Sequence, residues 1–447
     1  MESAHKFASG LRGGRGTDRI CAQSQFAEES GAAGNLNSLR LGAYTRLLAD
    51  SGLHCARVSA EVLTVMNKLR VAVIGTGFVG RVHVENIRRQ ADAEIVAIAD
   101  QTAELAAQFG RALGISRTSG DYRELLADPA IDAVHICTPN HTHFAIAHDA
   151  ISAGKHVICE KPLAMTAAEA QGLVDLARSK GIVHATSYNL RFYPNVAQMR
   201  RMVATGQVGD VLAVQGTYSQ DWLFFDTDYN WRLEPEVGGN SRAMADIGSH
   251  WCDLLEHVTD KRIRAVCAEL ATFHPVRKKP KKPIETYAGK MLEPEDYEDR
   301  PITTEDFGAI LLRFDDRARG ALTINQVAAG RKNRLLVEIY GTKCGLTWDG
   351  ERPNELWIGR RDGNNELLVK DPSLLEEQAR PFADLPGGHA EGYADTFKQF
   401  FRRFYTACRD RSKAGDVPGF DAGLRQLRLV EAVLRSHREG GWVGVEE

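Results

Sequence analysis

The chain has 447 residues, of which 43% are hydrophobic and 26% are charged, and its formal net charge is −3. This length is enough for two or three domains with substantial cores, and the nearly balanced charge gives no indication of a nucleic-acid or membrane partner. No apolar run is long enough to span a bilayer. The eight cysteines are scattered without a C-x-x-C pair, so we expect free thiols in a reducing compartment, the cytoplasm.

Residues 1–65 differ in composition from the rest of the chain. They are rich in Gly, Ser, Ala and Arg, and their apolar residues show no sustained period. They contain neither the apolar stretch of a secretory signal nor paired arginines before one. We expect a disordered extension, or upstream sequence included by an early start, because a compact domain would naturally begin at Met66.

The stretch LRVAVIGTGFVGRVH, residues 69–83, has the pattern of a buried strand that runs into a glycine-rich turn and then a helix. Gly75 would permit the tight turn, Gly77 the approach of a pyrophosphate, and Gly80 the packing of helix against strand. The phosphates would lie at the helix N-terminus, where unpaired N–H groups and the helix dipole favour an anion. The predicted cofactor loop therefore comprises Gly75, Gly77, Phe78, Val79 and Gly80.

A glycine motif alone is a weak indication, but its context strengthens it. Strand EIVAIAD follows the helix and ends at Asp100, about twenty residues after the last glycine, where an acid binds the adenosine ribose hydroxyls. A 2′-phosphate would be repelled there, since neither Gln101 nor Thr102 supplies a cation. The sequence therefore predicts NAD, with NADP less favoured, over the alternative of a strand–turn–helix that binds nothing.

The alternation of strands and helices changes character near residue 188. Up to that point the chain has a βαβ rhythm, which predicts a six-stranded, doubly wound parallel sheet with ligands at the carboxyl ends of its strands. Longer strands then follow in succession and two helices end the chain, which predicts an α+β domain with a large, mostly antiparallel open sheet. We therefore expect an extension over 1–65, an NAD-binding domain over 66–187, and a substrate and oligomerisation domain over 188–447.

Two groups of side chains are candidates for chemistry. Glu160 and Lys161 end a strand that would point at the cofactor crevice, where the lysine could contact both the nicotinamide ribose and a substrate hydroxyl, or could be an ordinary surface cation. Asp246 and His250 are four residues apart in a helical stretch and would share one face. Such a pair can orient an imidazole for proton transfer, or can simply be a partly buried polar pair.

Several segments resemble, in the same order, those of the Gfo/Idh/MocA family of NAD(P)-dependent sugar and inositol dehydrogenases. They are VAVIGTGFVGRVH, CTPNHTHFAIAHDAISAGKHVICEKPLAMT, YNLRFYP and GGNSRAMADIGSH, and the resemblance extends from residue 69 to about 440. It implies a Rossmann domain followed by an open-sheet domain that usually mediates dimers or tetramers. It also implies a cis bond between Lys161 and Pro162, and a cofactor cleft bordered by Thr138, Pro139, Asn140, His143, Glu160, Lys161, Asn189 and Arg191.

By the same resemblance, Lys161, Asp246 and His250 form the catalytic group. His250 would take the hydroxyl proton as hydride leaves, cationic Lys161 would stabilise the developing alkoxide, and Asp246 would fix the imidazole and its tautomer. All three would also contact the substrate. No metal is required, and His141 and His143 are not expected to converge with other histidines on one.

Some further residues are weaker candidates. Trp222 and Trp231 lie in the aromatic loop before the catalytic helix and could stack on a sugar ring. His389 and Tyr393 belong to a segment that the fold could return to the cleft. The basic run RKKPKKP, residues 277–283, is predicted to be a solvated loop, with a small chance of contacting a phosphate or a partner subunit.

The sequence thus favours an NAD-dependent oxidoreductase that moves a hydride between nicotinamide and a secondary alcohol or ketone carbon of a cyclic sugar or an inositol. The sugar would be a pyranose, glycoside or anhydrosugar. Two alternatives remain: a glycoside hydrolase that oxidises its sugar transiently with tightly held NAD, and a sugar-sensing regulator of the same fold. Retention of the three catalytic candidates argues against the regulator.

Overall fold

A computed structural model of the chain describes residues 68–281 and 294–446. The predicted extension 1–65, and Met66 with it, lie outside the described residues. All of the described residues belong to one compact unit. None of its described helices is long and apolar enough to cross a membrane.

The first part of the chain forms a six-stranded, fully parallel sheet in the order β3-β2-β1-β4-β5-β6. Its strands are β1 (Leu69–Ile74), β2 (Ala93–Ala99), β3 (Thr118–Ser119), β4 (Ala133–Ile136), β5 (His156–Cys159) and β6 (His184–Thr186). The predicted doubly wound sheet is confirmed. Edge strand β3 has only two residues, too few to produce a recognisable apolar pattern.

Helices cover both faces of this sheet, as its continuously apolar strands require. They are α1 (Phe78–Arg88), α2 (Ala103–Leu113), α3 (Tyr122–Leu126), α4 (His143–Ser152) and α5 (Ala167–Lys180). Thr166 caps α5, because its side chain accepts a hydrogen bond of 3.2 Å from Glu169 N. The same helix ends at Gly181, which takes the left-handed conformation with φ of 61°.

The second part of the chain builds a nine-stranded sheet in the order β16-β15-β14-β13-β7-β12-β11-β8-β17. Its strands are β7 (Val211–Ser219), β8 (Ile263–Ala271), β11 (Phe307–Phe314), β12 (Arg319–Asn325), β13 (Arg334–Gly341), β14 (Gly345–Asp349), β15 (Glu355–Gly359), β16 (Glu366–Val369) and β17 (Val443–Gly444). Only the β7–β12 pair of this sheet is parallel, so the predicted mostly antiparallel sheet is confirmed.

The prediction of a solvated loop at the basic run is wrong over its first residues. Val276–Pro280 forms strand β9, which pairs antiparallel with β10 (Tyr297–Pro301). Arg277 is completely buried within it. Its guanidinium finds carboxylate and carbonyl partners inside the protein, an arrangement that a count of charged residues does not reveal.

Several helices of the second part pack on the large sheet, and others pack on the parallel sheet. They are α6 (Pro194–Ala204), the single turn α7 (Pro235–Gly238), a π-helical turn (Met244–Gly248), α8 (Ser249–Thr259), α9 (Tyr393–Arg409) and α10 (Phe420–Glu439). The π turn continues directly into α8, so Asp246 and His250 lie on consecutive helical segments.

The last two helices also complete the first sheet. Phe397 and Phe401 of α9 pack with Val71 and Val73 of β1. Helix α10 contributes to both cores: Leu424 near its start packs with residues of the parallel sheet, whereas Leu429, Val430 and Val433 further along pack with the large sheet. These helices therefore fasten the second part of the chain to the first.

Candidate active site

The glycine-rich loop between β1 and α1 has the geometry of a phosphate cradle. Gly75 has φ of 89°, and a Cβ added to it would lie 2.7 Å from the Cys137 carbonyl. A Cβ on Gly80 would lie 2.0 Å from Gly75 O, so helix and strand touch there through backbone. Nothing lies within 4 Å of a Cβ on Gly77, which faces the open space that the approach of a pyrophosphate requires.

Helix α1 leaves its N-terminus available for an anion. Gly77 supplies no side-chain cap, and the first turn contains no acidic residue that would repel a phosphate. Phe78 is 56% exposed beside it, and Val79 is half-buried. This open cradle fits the phosphates of a dinucleotide, which Gly75, Gly77 and Gly80 would hold through backbone contacts.

Asp100 stands at the end of β2, directly against the glycine loop. Its Oδ2 accepts a hydrogen bond of 2.9 Å from Thr76 N and another from the Thr76 hydroxyl, while its Oδ1 accepts from Gln101 N at 2.8 Å. A carboxylate offers about four acceptor positions, so one remains for a ribose hydroxyl. The carboxylate thus fixes the loop, and its remaining acceptor position is open to a ribose hydroxyl.

The loop after β4 is tied to its surroundings by its polar side chains. Asn140 Nδ2 donates to Gly238 O at 2.8 Å, and the Thr138 hydroxyl lies 2.6 Å from that of Thr142. Pro139 is exposed. Asn140 therefore connects the parallel sheet to the turn before the π helix, and the loop reaches the crevice between the two parts of the unit.

His143 is buried and bridges two loops. Its Nδ1 lies 2.7 Å from Pro162 O and its Nε2 2.8 Å from Thr138 O. Burial lowers its pKa, although the two carbonyl contacts act in the opposite direction. A neutral imidazole has one N–H, so it donates to one carbonyl at a time. Its buried position indicates that it holds the loops in place, whereas we expected it to line the cleft.

Lys161 and Asp246 form the centre of the site, at the carboxyl end of β5. Lys161 Nζ donates to Asp246 Oδ1 at 2.7 Å and to the Asp246 carbonyl at 2.8 Å. The Lys161–Pro162 bond is cis. Burial would raise the pKa of Asp246, but the cations of Lys161 and Arg232 outweigh it and the pKa is lowered. An ammonium has three donors, so one proton of Lys161 remains for another acceptor.

His250 is half-buried near this pair. We expected its ring N–H to donate a hydrogen bond to Asp246, but this bond does not form. Among the described residues, His250 Nδ1 is buried without a hydrogen-bond partner. The Asp246 oxygens are directed to Lys161 at 2.7 Å and to Gln326 Nε2 at 3.0 Å. Burial, followed by the charge of Lys161, lowers the pKa of His250 to about 3, so the imidazole is neutral at neutral pH.

Gln326 extends the site into a buried polar network that the sequence did not indicate. Its Oε1 accepts a hydrogen bond of 3.0 Å from Arg242, and Arg242 also pairs with Asp306. Arg277 donates to the same Asp306 oxygen at 2.8 Å. Both arginines and the acid are completely buried. Burial would raise the pKa of Asp306, but its two cationic partners lower it.

Arg277 also fixes the aromatic loop that precedes the site. Its guanidinium donates to the carbonyls of Leu223, Phe225 and Asp228 at 3.0, 2.8 and 3.2 Å. A charged group that donates several hydrogen bonds to backbone carbonyls restrains them strongly. The buried arginine of the basic run therefore determines where this loop stands relative to the Lys161–Asp246 pair.

A small pocket opens beside the pair, between the two parts of the unit. Its walls are formed by Asn140, Lys161, Pro162, Arg232, Gly238, Ser241, Arg242, Ala245 and Asp246. Arg232 was not predicted, yet its Nε lies 3.6 Å from Asp246 Oδ1. Its guanidinium carbon lies 4.4 Å from the centre of the Trp231 ring, which brings Trp231 next to the pocket.

Glu160 begins a second buried chain of hydrogen bonds. His83 Nε2 lies 3.1 Å from Glu160 Oε1, His83 Nδ1 lies 3.1 Å from His135 Nδ1, and His135 Nε2 lies 3.0 Å from the Tyr405 hydroxyl. Burial would raise the pKa of Glu160, but the contact with His83 lowers it; burial lowers that of His135. One arrangement of the N–H groups satisfies the whole chain: Tyr405 donates to His135, His135 to His83, and His83 to the carboxylate.

The other predicted residues lie away from the pocket or have structural partners. Asn189 donates to Thr396 Oγ1 at 2.7 Å, and Arg191 forms a two-point ion pair with Asp253, with Nε 2.7 Å from Oδ2. Trp222 packs on a small apolar cluster. His389 and Tyr393 are exposed. Trp222, His389 and Tyr393 do not line the pocket as the described residues define it, and their contact with substrate stays a prediction.

Comparison with known proteins gives consistent matches along the chain. Residues 69–188 match the oxidoreductase family with an NAD-binding Rossmann fold, and residues 196–347 match the Gfo/Idh/MocA C-terminal domain. Levoglucosan dehydrogenase of Pseudarthrobacter phenanthrenivorans is 30% identical, over 86% of this chain and 99% of the relative. Myo-inositol 2-dehydrogenase of Thermotoga maritima is 32% identical, over 66% and 80% of the two chains.

Solved structures give the same result. Levoglucosan dehydrogenase in complex with NADH and L-sorbose matches with a TM-score of 0.75 and 30% identity, over 86% of this chain and all of the other. An inositol dehydrogenase homologue from Azotobacter vinelandii, in complex with NADH and myo-inositol, matches with a TM-score of 0.74 and 26% identity, over 85% and 98% of the two chains. The chain belongs to the Gfo/Idh/MocA family and is an NAD-dependent oxidoreductase.

Proposed function

We propose that this enzyme oxidises a secondary alcohol of a cyclic sugar or inositol, or reduces the corresponding ketone, in the pocket beside Lys161 and Asp246. The observation that carries the proposal is the Lys161 ammonium, two of whose donors are fixed on Asp246 while the third is left for a substrate hydroxyl. Relatives named levoglucosan dehydrogenase and myo-inositol 2-dehydrogenase support the substrate class.

The residues divide the work of the reaction as follows. The bound nicotinamide supplies the hydride acceptor or donor. Lys161 donates to the substrate oxygen and stabilises the negative charge that develops on it as the C–H bond breaks. Asp246 keeps the ammonium in place through two hydrogen bonds. His250, neutral at working pH, is the group that we propose to accept the hydroxyl proton.

The Nδ1 atom of His250 has a consequence for this role. If Nε2 accepts the proton, Nδ1 carries the N–H, and in the described structure this N–H has no partner. A buried donor without an acceptor is costly. We infer that bound substrate or an ordered water satisfies Nδ1, so that the competent tautomer is completed only when the site is loaded.

The test is a panel of pyranoses, glycosides, anhydrosugars and inositols, supplied with NAD to the full-length protein and followed by nicotinamide absorbance. The proposal expects stoichiometric NADH with at least one cyclic polyol, and loss of that signal in Lys161→Met. A glycosidic product without net NADH would identify transient-oxidation hydrolysis instead. Tight sugar binding without either product would identify a sensor.

We also propose that copies of the chain associate through the uncovered face of the large sheet, as expected from the sequence. Leu212 of β7 and Leu311 of β11 are 40% and 51% exposed, which are high values for apolar strand residues. Light scattering of the purified protein and of Leu311→Lys tests the association: a monomeric parent would contradict it.

The six described cysteines are free, as we expect in the cytoplasm.

A further inference from the structure

The walls of the pocket carry an excess of positive charge. Lys161, Arg232 and Arg242 line it, against the single acid Asp246. The guanidinium of Arg242 is directed behind the wall, where it shares the carboxylate of Asp306 with Arg277. Asp246 is the only acid within reach of both Lys161 and Arg232 among the described residues that form the pocket. One cation of the pocket is therefore left without its own counter-charge.

Arg232 is the cation that is left over. Lys161 has the shorter contact with Asp246, 2.7 Å against 3.6 Å from Arg232 Nε, and only the former is a hydrogen bond. Arg232 also donates two hydrogen bonds to the Asn230 side chain, from its backbone N at 3.1 Å and from Nη1 at 3.2 Å. Its side chain is 24% exposed.

The side chain of Arg232 is held in position by its surroundings. The short turn Trp231–Leu233 carries it, Trp231 stacks on its guanidinium, and Arg277 fixes the preceding loop through three carbonyls. A planar guanidinium held on an aromatic face loses little further freedom when it binds a carboxylate by two parallel hydrogen bonds. Such a site costs less entropy to fill than a mobile surface arginine.

From these contacts we propose that the substrate is an anionic cyclic polyol, a ring that carries a carboxylate as hexuronates do, and that Arg232 binds this carboxylate. The inference rests on the proposed function and names the substrate class for the same pocket. Lys161 would engage the hydroxyl that is oxidised and Arg232 the acidic substituent, so the two cations would orient the ring. Glu160 does not oppose this, because its carboxylate is directed to His83, at 3.1 Å, and it is not part of the pocket wall.

The experiment compares matched pairs that differ only at the acidic carbon: glucose with glucuronate, galactose with galacturonate, and mannose with mannuronate. We expect kcat/KM to favour the acid of the productive pair by at least about tenfold. Arg232→Met should raise KM for that acid by about 30-fold or more, and at least about tenfold more than it raises KM for the neutral partner, whose turnover changes only through the contact of Arg232 with Asp246. Arg232→Lys should recover part of the affinity. Arg313→Met is the control, since Arg313 also stacks on a tryptophan, at 3.9 Å over Trp442, but lies outside the pocket.

Binding is measured separately from turnover, by calorimetric titration of the NADH-saturated enzyme with each pair. Tighter binding of the acid in the parent, lost in Arg232→Met, supports the inference even if no sugar is oxidised, in which case only the proposed function fails. Equal or tighter binding of the neutral sugars overturns the inference and leaves the dehydrogenase intact. An equal loss for both members of a pair in Arg232→Met also overturns it, because Arg232 would then act only through Asp246.

Discussion

Gln326 Nε2 donates to Asp246 Oδ2 at 3.0 Å, while the Oε1 of the same amide accepts from the buried Arg242. The arginine can only donate, so it fixes which end of the amide faces Asp246. Lys161 occupies the other carboxylate oxygen. Asp246, which positions the Lys161 ammonium, is therefore itself held in place by Gln326 and, through Gln326, by the buried Arg242.

Replacing Gln326 with Leu tests this relationship. The variant removes one donor from Asp246 and one acceptor from Arg242, and we expect kcat to fall by about tenfold or more with little change in KM for NAD. Gln215→Leu is a matched control, because Gln215 donates to Glu338 at 2.7 Å on the exposed face of the sheet. Parent-like turnover in Gln326→Leu would show that Asp246 does not need this support.

Replacing His250 with Ala should lower kcat by roughly 10²–10⁴ with little change in NAD affinity, because the variant loses its proton acceptor. His148→Ala is the control, since His148 lies exposed on α4. Stopped-flow rates and a separate titration with NADH distinguish the two effects. An unchanged kcat would remove His250 from the mechanism.

The choice of cofactor should depend on Asp100. We expect kcat/KM to favour NAD over NADP by at least about tenfold, which corresponds to about 1.4 kcal/mol, because a 2′-phosphate would meet this carboxylate. Asp100→Ser should reduce the ratio, and should also lower affinity for NAD modestly because Thr76 loses its partner. A parent that prefers NADP, or a Ser variant with unchanged discrimination, would assign the choice to other residues.

The protein should lose stability as the pH falls below the pKa of an unfolded histidine. Burial lowers the pKa of His156 to about 4 and that of His250 to about 3, whereas both ionise near pH 6.5 when unfolded. Between these values the unfolded chain binds more protons, so the free energy of unfolding decreases with falling pH. Urea titrations at pH 7.5 and 5 measure this, and His156→Gln should flatten the dependence. Equal stability at both pH values would contradict it.

Removing the hydroxyl of Tyr405 should destabilise the fold without abolishing activity. Tyr405→Phe leaves His135 Nε2 without its donor in a fully buried place, and we expect the free energy of unfolding to fall by about 1–3 kcal/mol. Tyr122→Phe, which removes a hydroxyl bound to Asp149 at a less buried position, should cost less. The reverse order would show that the buried chain contributes little.

The features that the sequence predicted well are those set by neighbouring residues. The roles of Gly75, Gly77 and Gly80 follow from one strand–turn–helix unit, and all three have the expected surroundings. The four-residue spacing of Asp246 and His250 predicted less well how their side chains lie relative to each other. The α-helical rule for residues four apart assumes an α-helix, but Asp246 lies in a π turn, where the hydrogen-bonding pattern is wider.

Features that depend on distant pairing escaped prediction. Arg277 lies in a basic run that resembles a solvated loop, and its burial depends on Asp306, which lies just before β11, and on carbonyls of the aromatic loop. Arg232 and Gln326 belong to no motif, yet the turn Trp231–Leu233 brings the first to Asp246 and the end of β12 brings the second. Burial of a charged or amide side chain depends on partners that are far away in the chain, and a local pattern contains no information about them.

The two C-terminal helices have a consequence for how the protein is made. Phe397, Phe401 and Tyr405 fill the core around β1, so the nucleotide-binding sheet, whose last strand ends at Thr186, cannot close its core until more than 200 further residues have been synthesised. Contacts of such long sequence separation form slowly. Until then, the nascent chain must leave an apolar face of this sheet uncovered. We therefore expect a chaperone that binds exposed apolar surfaces to raise the yield of folded enzyme. A chain that ends before α9 should aggregate rather than bind NAD.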